Sequence, residues 1–251
     1  NLKLTVMKQP RPHLITLSIL AGMYILTQVI IVPALPDLQN QFETDYRTIQ
    51  FTISGYLLAV ALVNFIAGPL SDRYGRRPIM LLFFFIFMLG SVGCFFSENL
   101  TTFLFFRFCQ ASSATGLVLS RAIIGDISTE KDTVKMLGLL SIAMGIAPSL
   151  APLAGGIIND FFGAKQIFLF LSVVSIFLLF VIYYDLKETN IKRSEDFFSQ
   201  LKNYPILLKS ITFWLPTVIF SLSFSIFGVF FIGGPFIASN VFNLTPTISG
   251  I

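Results

Sequence analysis

Apolar runs of about twenty residues recur along the chain, separated by short polar intervals. They lie at about Leu14 to Val32, Ile49 to Ala67, Ile79 to Phe96, Leu100 to Ser120, Met136 to Ile158, Ile167 to Tyr184 and Ile211 to Ile232. A run of that length is what an α-helix needs to cross the hydrocarbon layer of a bilayer. The pattern therefore predicts an all-α integral membrane chain. The first run is longer than a signal-peptide core, lacks a small-x-small cleavage site and ends in Pro33 and Pro36, so it is expected to remain attached.

Taking the runs as spans puts the interval residues on alternate sides of the membrane. One side then holds Lys3, Lys8, Arg11, Arg73, Arg76, Arg77, Arg121, Lys131, Lys135, Lys187, Lys192, Arg193, Lys202 and Lys209, and the other only Arg47 and Lys165. Cationic loops stay cytoplasmic, so the N-terminus is expected inside and the seventh span leaves on the far side. A seven-helix receptor would run the other way. The polar stretch after the sixth span, residues 185–210, reads as a linker between residues 1–184, a six-helix bundle, and residues 211–251, the start of a second. Phe197, Phe198, Leu201, Ile206, Leu207 and Leu208 suggest that part of the linker lies on the membrane surface. A plain disordered loop fits the same residues.

Composition agrees with the spans. Of 251 residues 55% are apolar and 12% charged, about half the charged share of a soluble domain. A soluble enzyme is thereby disfavoured. The net charge of +4 is modest, and the cations sit in loops without interleaved readers, so nucleic acid is not an expected partner. Cys94 and Cys109 lie inside apolar runs and read as small buried hydrophobes. The single histidine, His13, has no ligand-spaced neighbours and reads as solvated; neither metal nor cofactor is expected. Sequons at Asn99 and Asn243 lie close to span ends and carry little weight.

The most specific string is Gly68-Pro69-Leu70-Ser71-Asp72-Arg73-Tyr74-Gly75-Arg76-Arg77-Pro78, between the second and third spans. Gly68 would let a neighbouring helix approach, Gly75 permits a tight turn, and Asp72 with Arg73, Arg76 and Arg77 supplies both signs of charge. Arg107 is the one ionisable residue inside a span, and Gln110 shares its face three residues on. It is either a functional group or an arginine snorkelling to the surface. In the fifth span, Gly145 to Gly156 places Pro148, Pro152 and Gly156 on one stripe and Ala147, Ala151 and Gly155 on the next, a proline-kinked helix with a bare face.

These strings resemble the signatures of the major facilitator superfamily. The Asp72 loop matches its interhelical loop, Arg107-x-x-Gln110 its fourth-helix motif with Ala111 in place of the usual glycine, and the doubled Ala-Pro helix its antiporter motif in the Bcr/CflA-type drug:proton exporters. Val32-Pro33-Ala34-Leu35-Pro36 and Gly233-Gly234-Pro235-Phe236-Ile237 favour the same group. The resemblance implies a six-helix N-terminal bundle plus the first helix of a C-terminal bundle, and a chain that is part of a longer protein of about twelve helices. It implies secondary active transport by alternating access, with efflux of drugs or small metabolites and the proton as coupling ion, in a monomer of the bacterial inner membrane. Nutrient uptake on the same fold, or a structural role for a truncated half, are the competing readings.

By the same resemblance Asp72 caps a helix of the opposite bundle, Arg76 pairs with Asp126, Arg121 joins them, and Arg107 serves proton coupling. Asp126 is alternatively an ordinary loop carboxylate. The first span departs from the pattern, since it offers Tyr24, Thr27 and Gln28 where relatives place an acid. The proton would then need an acid outside this chain, Asp37 at the outer mouth, or give way to another ion. A substrate pocket for a small amphipathic molecule is expected from Tyr24, Gln28, Tyr56, Asn64, Arg107 and Gln110, each of which core packing also explains.

Overall fold

The computed structural model describes residues 12–190, 208–240, 242 and 246–249. Helix α1 (Leu14–Val29) follows His13, whose backbone is extended. A 3-10 turn over Val32–Ala34 leads into α2 (Leu35–Gln41). Pro33 and Pro36 fall in first turns, where a missing N–H costs nothing. The first expected span therefore runs on to Gln41 and carries Asp37 with it.

After the short α3 (Tyr46–Ile49), α4 (Phe51–Tyr74) continues past Ala67 through the charged string that the sequence reading had made a loop. Charged residues at a helix end do not break it; only Gly75 does, at φ 106° and ψ 153°, a conformation that a Cβ opposes. Helix α5 (Arg76–Phe96) begins at the next residue.

The fourth expected span is present as α6 (Leu100–Gln110), a 3-10 segment at Ala111–Ala114, and α7 (Thr115–Ile127). Asn99 caps α6, its side-chain oxygen accepting the Thr102 N–H at 2.9 Å, which gives that sequon a structural purpose. Helix α8 (Glu130–Phe162) is longer than the expected fifth span and ends at Gly163, φ 96°, whose N–H donates to the Asn159 carbonyl at 2.9 Å. Helix α9 (Gln166–Asp185), α10 (Ile211–Asn240) and α11 (Pro246–Ser249) complete the described elements. The linker residues Phe197, Phe198, Leu201, Ile206 and Leu207, and the second sequon at Asn243, lie outside the described residues.

Among the described residues, five helical segments are long and apolar enough to cross a membrane: Leu14–Gln41, Tyr46–Tyr74, Arg76–Phe96, Asp132–Phe162 and Gln166–Asp185. The fourth expected span is helical but interrupted, and the seventh keeps an apolar stretch over Ile211–Ile226. Large apolar side chains cover the outside, among them Phe96, Phe161, Phe162, Phe177 and Tyr184. Such a surface suits lipid and not water.

Inside, α5 packs on α6 and α9, and α1 on α7 and α8. Lipid tails are as apolar as leucine, so these contacts rest on close fit and small residues. A Cβ on Gly90 would lie 2.8 Å from the Gln110 nitrogen, and one on Gly116 or Gly155 would overlap the backbone carbonyl of Leu20 or Ile30. Phe103 meets Phe168 edge-on at 5.2 Å within the buried core. Cys94 and Cys109 are free thiols, Cys94 buried against the Phe103 carbonyl.

Candidate functional site

Two polar constellations stand out from this apolar frame. The first is at the end of the bundle where α4 turns into α5. The Arg76 Nε donates to Asp126 Oδ2 at 3.1 Å, its Nη1 donates to the Ser71 hydroxyl at 2.6 Å, and the same guanidinium pairs with Asp72 one turn back. Arg76 is 9% exposed, so solvent screens these contacts less than it would at the surface. The expected Arg76–Asp126 pair is thus formed, and Asp72 turns toward Arg76.

The residues after the sixth span, read from sequence as linker, close this cluster. Glu188 accepts the backbone N–H groups of Arg76 at 2.9 Å and Arg77 at 3.2 Å, so a carboxylate satisfies the free donors of the α5 N-terminus and meets its positive dipole end. A Cβ on Gly75 would strike that carboxylate. The Thr189 hydroxyl donates to Asp126 at 3.2 Å, and Asn190 Nδ2 donates to the carbonyls of Asp72 at 2.8 Å and Ser71 at 3.3 Å. Arg77 Nη2 donates to the Tyr183 carbonyl at 2.8 Å and its guanidinium lies 5.1 Å from that ring.

Three expectations need correction here. Arg121 is exposed and, among the described residues, makes no hydrogen bond or ion pair with the cluster. Arg73 is exposed and rests over Tyr74. No other described segment comes within 4 Å of the place a Cβ on Gly68 would occupy, so no described helix makes that approach. His13 is also not merely solvated. Its Nδ1 lies 2.5 Å from Asp185 Oδ1 and its N–H donates to Oδ2 at 3.0 Å, tying the start of α1 to the end of α9.

The second constellation surrounds Arg107, which is 1% exposed; it does not snorkel. Its Nη1 donates to Gln110 Oε1 at 2.7 Å and more weakly to the Thr27 carbonyl at 3.3 Å, and its carbon lies 4.6 Å from the Tyr56 ring centre. Gln110 is oriented in turn by donating to the Ser91 hydroxyl at 2.8 Å. The Tyr56 hydroxyl donates to the Tyr24 carbonyl at 2.9 Å and lies 3.2 Å from Ser113 Oγ. Burying a guanidinium costs several kcal/mol. Bonds to the charged group offset about 1.5–3 kcal/mol each and the ring, at this desolvated site, about 2 kcal/mol or more. Among the described residues the Nε and Nη2 donors have no partner.

Of the expected pocket, Tyr24, Tyr56, Arg107 and Gln110 are thus brought together. Gln28 lies beside them, lining a cavity of about 200 Å³ with Ile53, Leu57, Pro148, Phe224 and Ser225. Asn64 is not part of it. It lies two turns along α4 from Tyr56 and is exposed, with no bond to the other five. Helix α8 contributes Pro148 to the cavity, while Pro152, Gly155 and Gly156 are buried, Gly155 directly against the α1 backbone. No other described segment lies within 4 Å of the Cβ position of Gly145, which takes no part in that contact.

At the opposite end of the bundle, Asn159 Nδ2 donates to Asp37 at 2.5 Å, the Thr247 N–H donates to Asp160 at 2.9 Å, and the Tyr46 and Phe236 rings meet edge-on at 3.9 Å. The last two contacts join α3 and α8 to α10 and α11, across the boundary between the expected bundles.

A helical bundle with a charge cluster at one end, a buried arginine beside a cavity and an apolar exterior is the architecture of a multi-pass membrane protein. The Major Facilitator Superfamily profile matches residues 17–251, and the chain belongs to that superfamily. It is 34% identical over 161 residues to an uncharacterized MFS-type transporter, YdgK, of Bacillus subtilis (strain 168), covering 63% of this chain and 40% of that one. It is 30% identical over 202 residues to a chloramphenicol resistance protein of Pseudomonas aeruginosa, covering 80% of this chain and 48% of that one. The chain thus spans about half the length of such relatives. Among solved structures, the bacterial homologue of the human lysosomal transporter Spinster, inward-facing and unoccupied, superposes with a TM-score of 0.74 at 17% identity over 95% of this chain and 57% of that one.

Proposed function

We propose that the chain is the N-terminal bundle, linker and first C-terminal helices of a drug or small-metabolite exporter of the Bcr/CflA type, driven by proton antiport through alternating access. The observation that carries this is the Arg76, Asp72 and Asp126 cluster strapped by Glu188 to Asn190. Charges that pair in one state and part in another bias a two-state equilibrium without touching substrate. Contacts of Tyr46 with Phe236 and Asp160 with Thr247 at the other end would hold that mouth closed. The 30% identity to a chloramphenicol resistance protein favours export over uptake.

The positive-inside count puts the Asp72 end in the cytoplasm of the bacterial inner membrane. Gln28 and Ser225 are the polar groups that line the proposed, otherwise apolar substrate site, and Tyr24, Tyr56 and Gln110 are grouped around Arg107 beside it. Arg107 stays protonated at any physiological pH, so it acts on coupling through its field and cannot carry the proton. The working unit is a monomer. The test is chloramphenicol flux by the full-length protein in proteoliposomes. An imposed proton gradient is expected to drive it, and Asp72→Asn to slow it. No flux under any imposed ion gradient, with Asp72→Asn leaving transport in cells unchanged, refutes the reading.

A further inference from the structure

Gln28 is a polar residue in the middle of an apolar face. Ile25, Gln28 and Val29 of α1 lie three and four residues apart and line the cavity together, opposite Ile53 and Leu57 of α4 and Phe224 of α10. Packing alone would be served by a hydrophobe at that place in the stripe. The Gln28 side chain is half-buried and makes no hydrogen bond to any other described residue. Its amide therefore faces the cavity with both donor and acceptor capacity free, and a polar group without a partner in apolar surroundings is what a matching ligand group satisfies.

Ser225 is the other polar side chain in the described lining. Its hydroxyl donates to the Ser221 carbonyl at 2.8 Å, so toward a ligand it offers an acceptor oxygen and no free hydrogen. Among the described lining residues the free side-chain N–H groups thus belong to Gln28. No charged side chain lines the cavity among those residues, so an ionic group leaving water would meet no counter-charge there, a far larger cost than one unmade neutral hydrogen bond. An amide on the ligand presents the same donor and acceptor, at the same spacing, as the Gln28 amide does.

We infer that Gln28 is a specificity-determining residue of the cavity, and that the ligand it selects is an uncharged amide on an apolar body. The ligand carbonyl accepts from Gln28 Nε2, its N–H donates to Gln28 Oε1 or Ser225 Oγ, and the body lies against Ile53, Leu57 and Phe224. Apolar walls take any hydrophobe of the right size; the amide separates hydrophobes of one shape, because a ligand without the donor leaves Oε1 unpaired. This rests on reading the cavity as the exporter's substrate site, and it names the chemical class that the site takes.

The test uses the full-length protein in phosphatidylcholine nanodiscs and three probes with the same rings, measured by equilibrium dialysis against empty nanodiscs. They are 1-naphthamide, methyl 1-naphthoate, which keeps the carbonyl but has no N–H, and the cation 1-naphthylmethylammonium. The amide is expected to bind about fivefold tighter than the ester, the gain of a neutral hydrogen bond, and about tenfold or more tighter than the ammonium. Gln28→Met, similar in length and without hydrogen-bonding amide atoms, is expected to erase the gap between amide and ester while ester binding, which also reports that the variant is folded, stays within about threefold. Equal binding of amide and ester by the wild-type protein overturns the inference whatever the variant does, as does a gap that survives in Gln28→Met. Ammonium bound as tightly as the amide overturns it too. Flux without amide preference overturns the role of Gln28 and spares the exporter reading, while amide preference without flux does the reverse.

Discussion

Removing the Glu188 carboxylate should loosen the junction between α4 and α5. Glu188 accepts from the first two N–H groups of α5, at 2.9 Å and 3.2 Å, and from the Asn190 N–H at 2.9 Å. Loss of a helix cap costs about 0.5–2 kcal/mol and a bond to a charged acceptor about 1.5–3 kcal/mol before solvent is considered. Because Glu188 is half-buried, solvent replaces part of what is lost. A net destabilisation of about 1–3 kcal/mol for Glu188→Ala follows, with Glu188→Gln intermediate because it keeps an oxygen but not the charge. At no more than about 2–4 °C per kcal/mol, the value for about 150–250 residues, which falls with length, the full-length protein in detergent should melt a few degrees lower, followed by tryptophan fluorescence. Lys187→Ala, an exposed neighbour, should leave the melt unchanged. A Glu188→Ala protein that melts with the wild type would refute the cap.

Gly155→Ala places a Cβ on the Ile30 carbonyl oxygen, a backbone atom that cannot rotate away. It should cost about 1–3 kcal/mol or more and cut the monodisperse yield on size exclusion, whereas Gly145→Ala, with open space around it, should match the wild type. Gly75→Ala forces an L-residue to φ 106° and displaces Glu188. It should cost about 1–2 kcal/mol from the backbone alone, read as a lower melting temperature; equal melting would argue against that turn.

The helices were legible because each must bury its own backbone polar groups in lipid, which forces long uninterrupted apolar runs. Their ends were not. Asp72 and Arg73 mark where the hydrocarbon stops, yet the α4 helix continues to Tyr74, since nothing in those residues opposes helical geometry until Gly75. Arg107 and Gln110 were legible as an i, i+3 pair on one face. The Arg76–Asp126 contact spans fifty residues and came only through the resemblance. Glu188 meets Arg76 across 112 positions and His13 meets Asp185 across 172; no local period records such contacts. An acid and an asparagine just after an apolar run were the only signal for the strap. Asn64 was expected in the pocket as a polar residue within a span, but two turns along α4 from Tyr56 nothing in the described chain covers it.

In the proposed cycle the charge cluster acts as one unit that biases transport. Transport by Arg76→Gln, Asp126→Asn and the double variant, measured as chloramphenicol flux in proteoliposomes, tests this most directly. If the Arg76 Nε to Asp126 bond is the shared element, each single change should slow flux and the double change should be no worse than the more severe single one, the non-additivity of a coupled pair. Losses that multiply in the double variant, or singles that transport like the wild type, would contradict it.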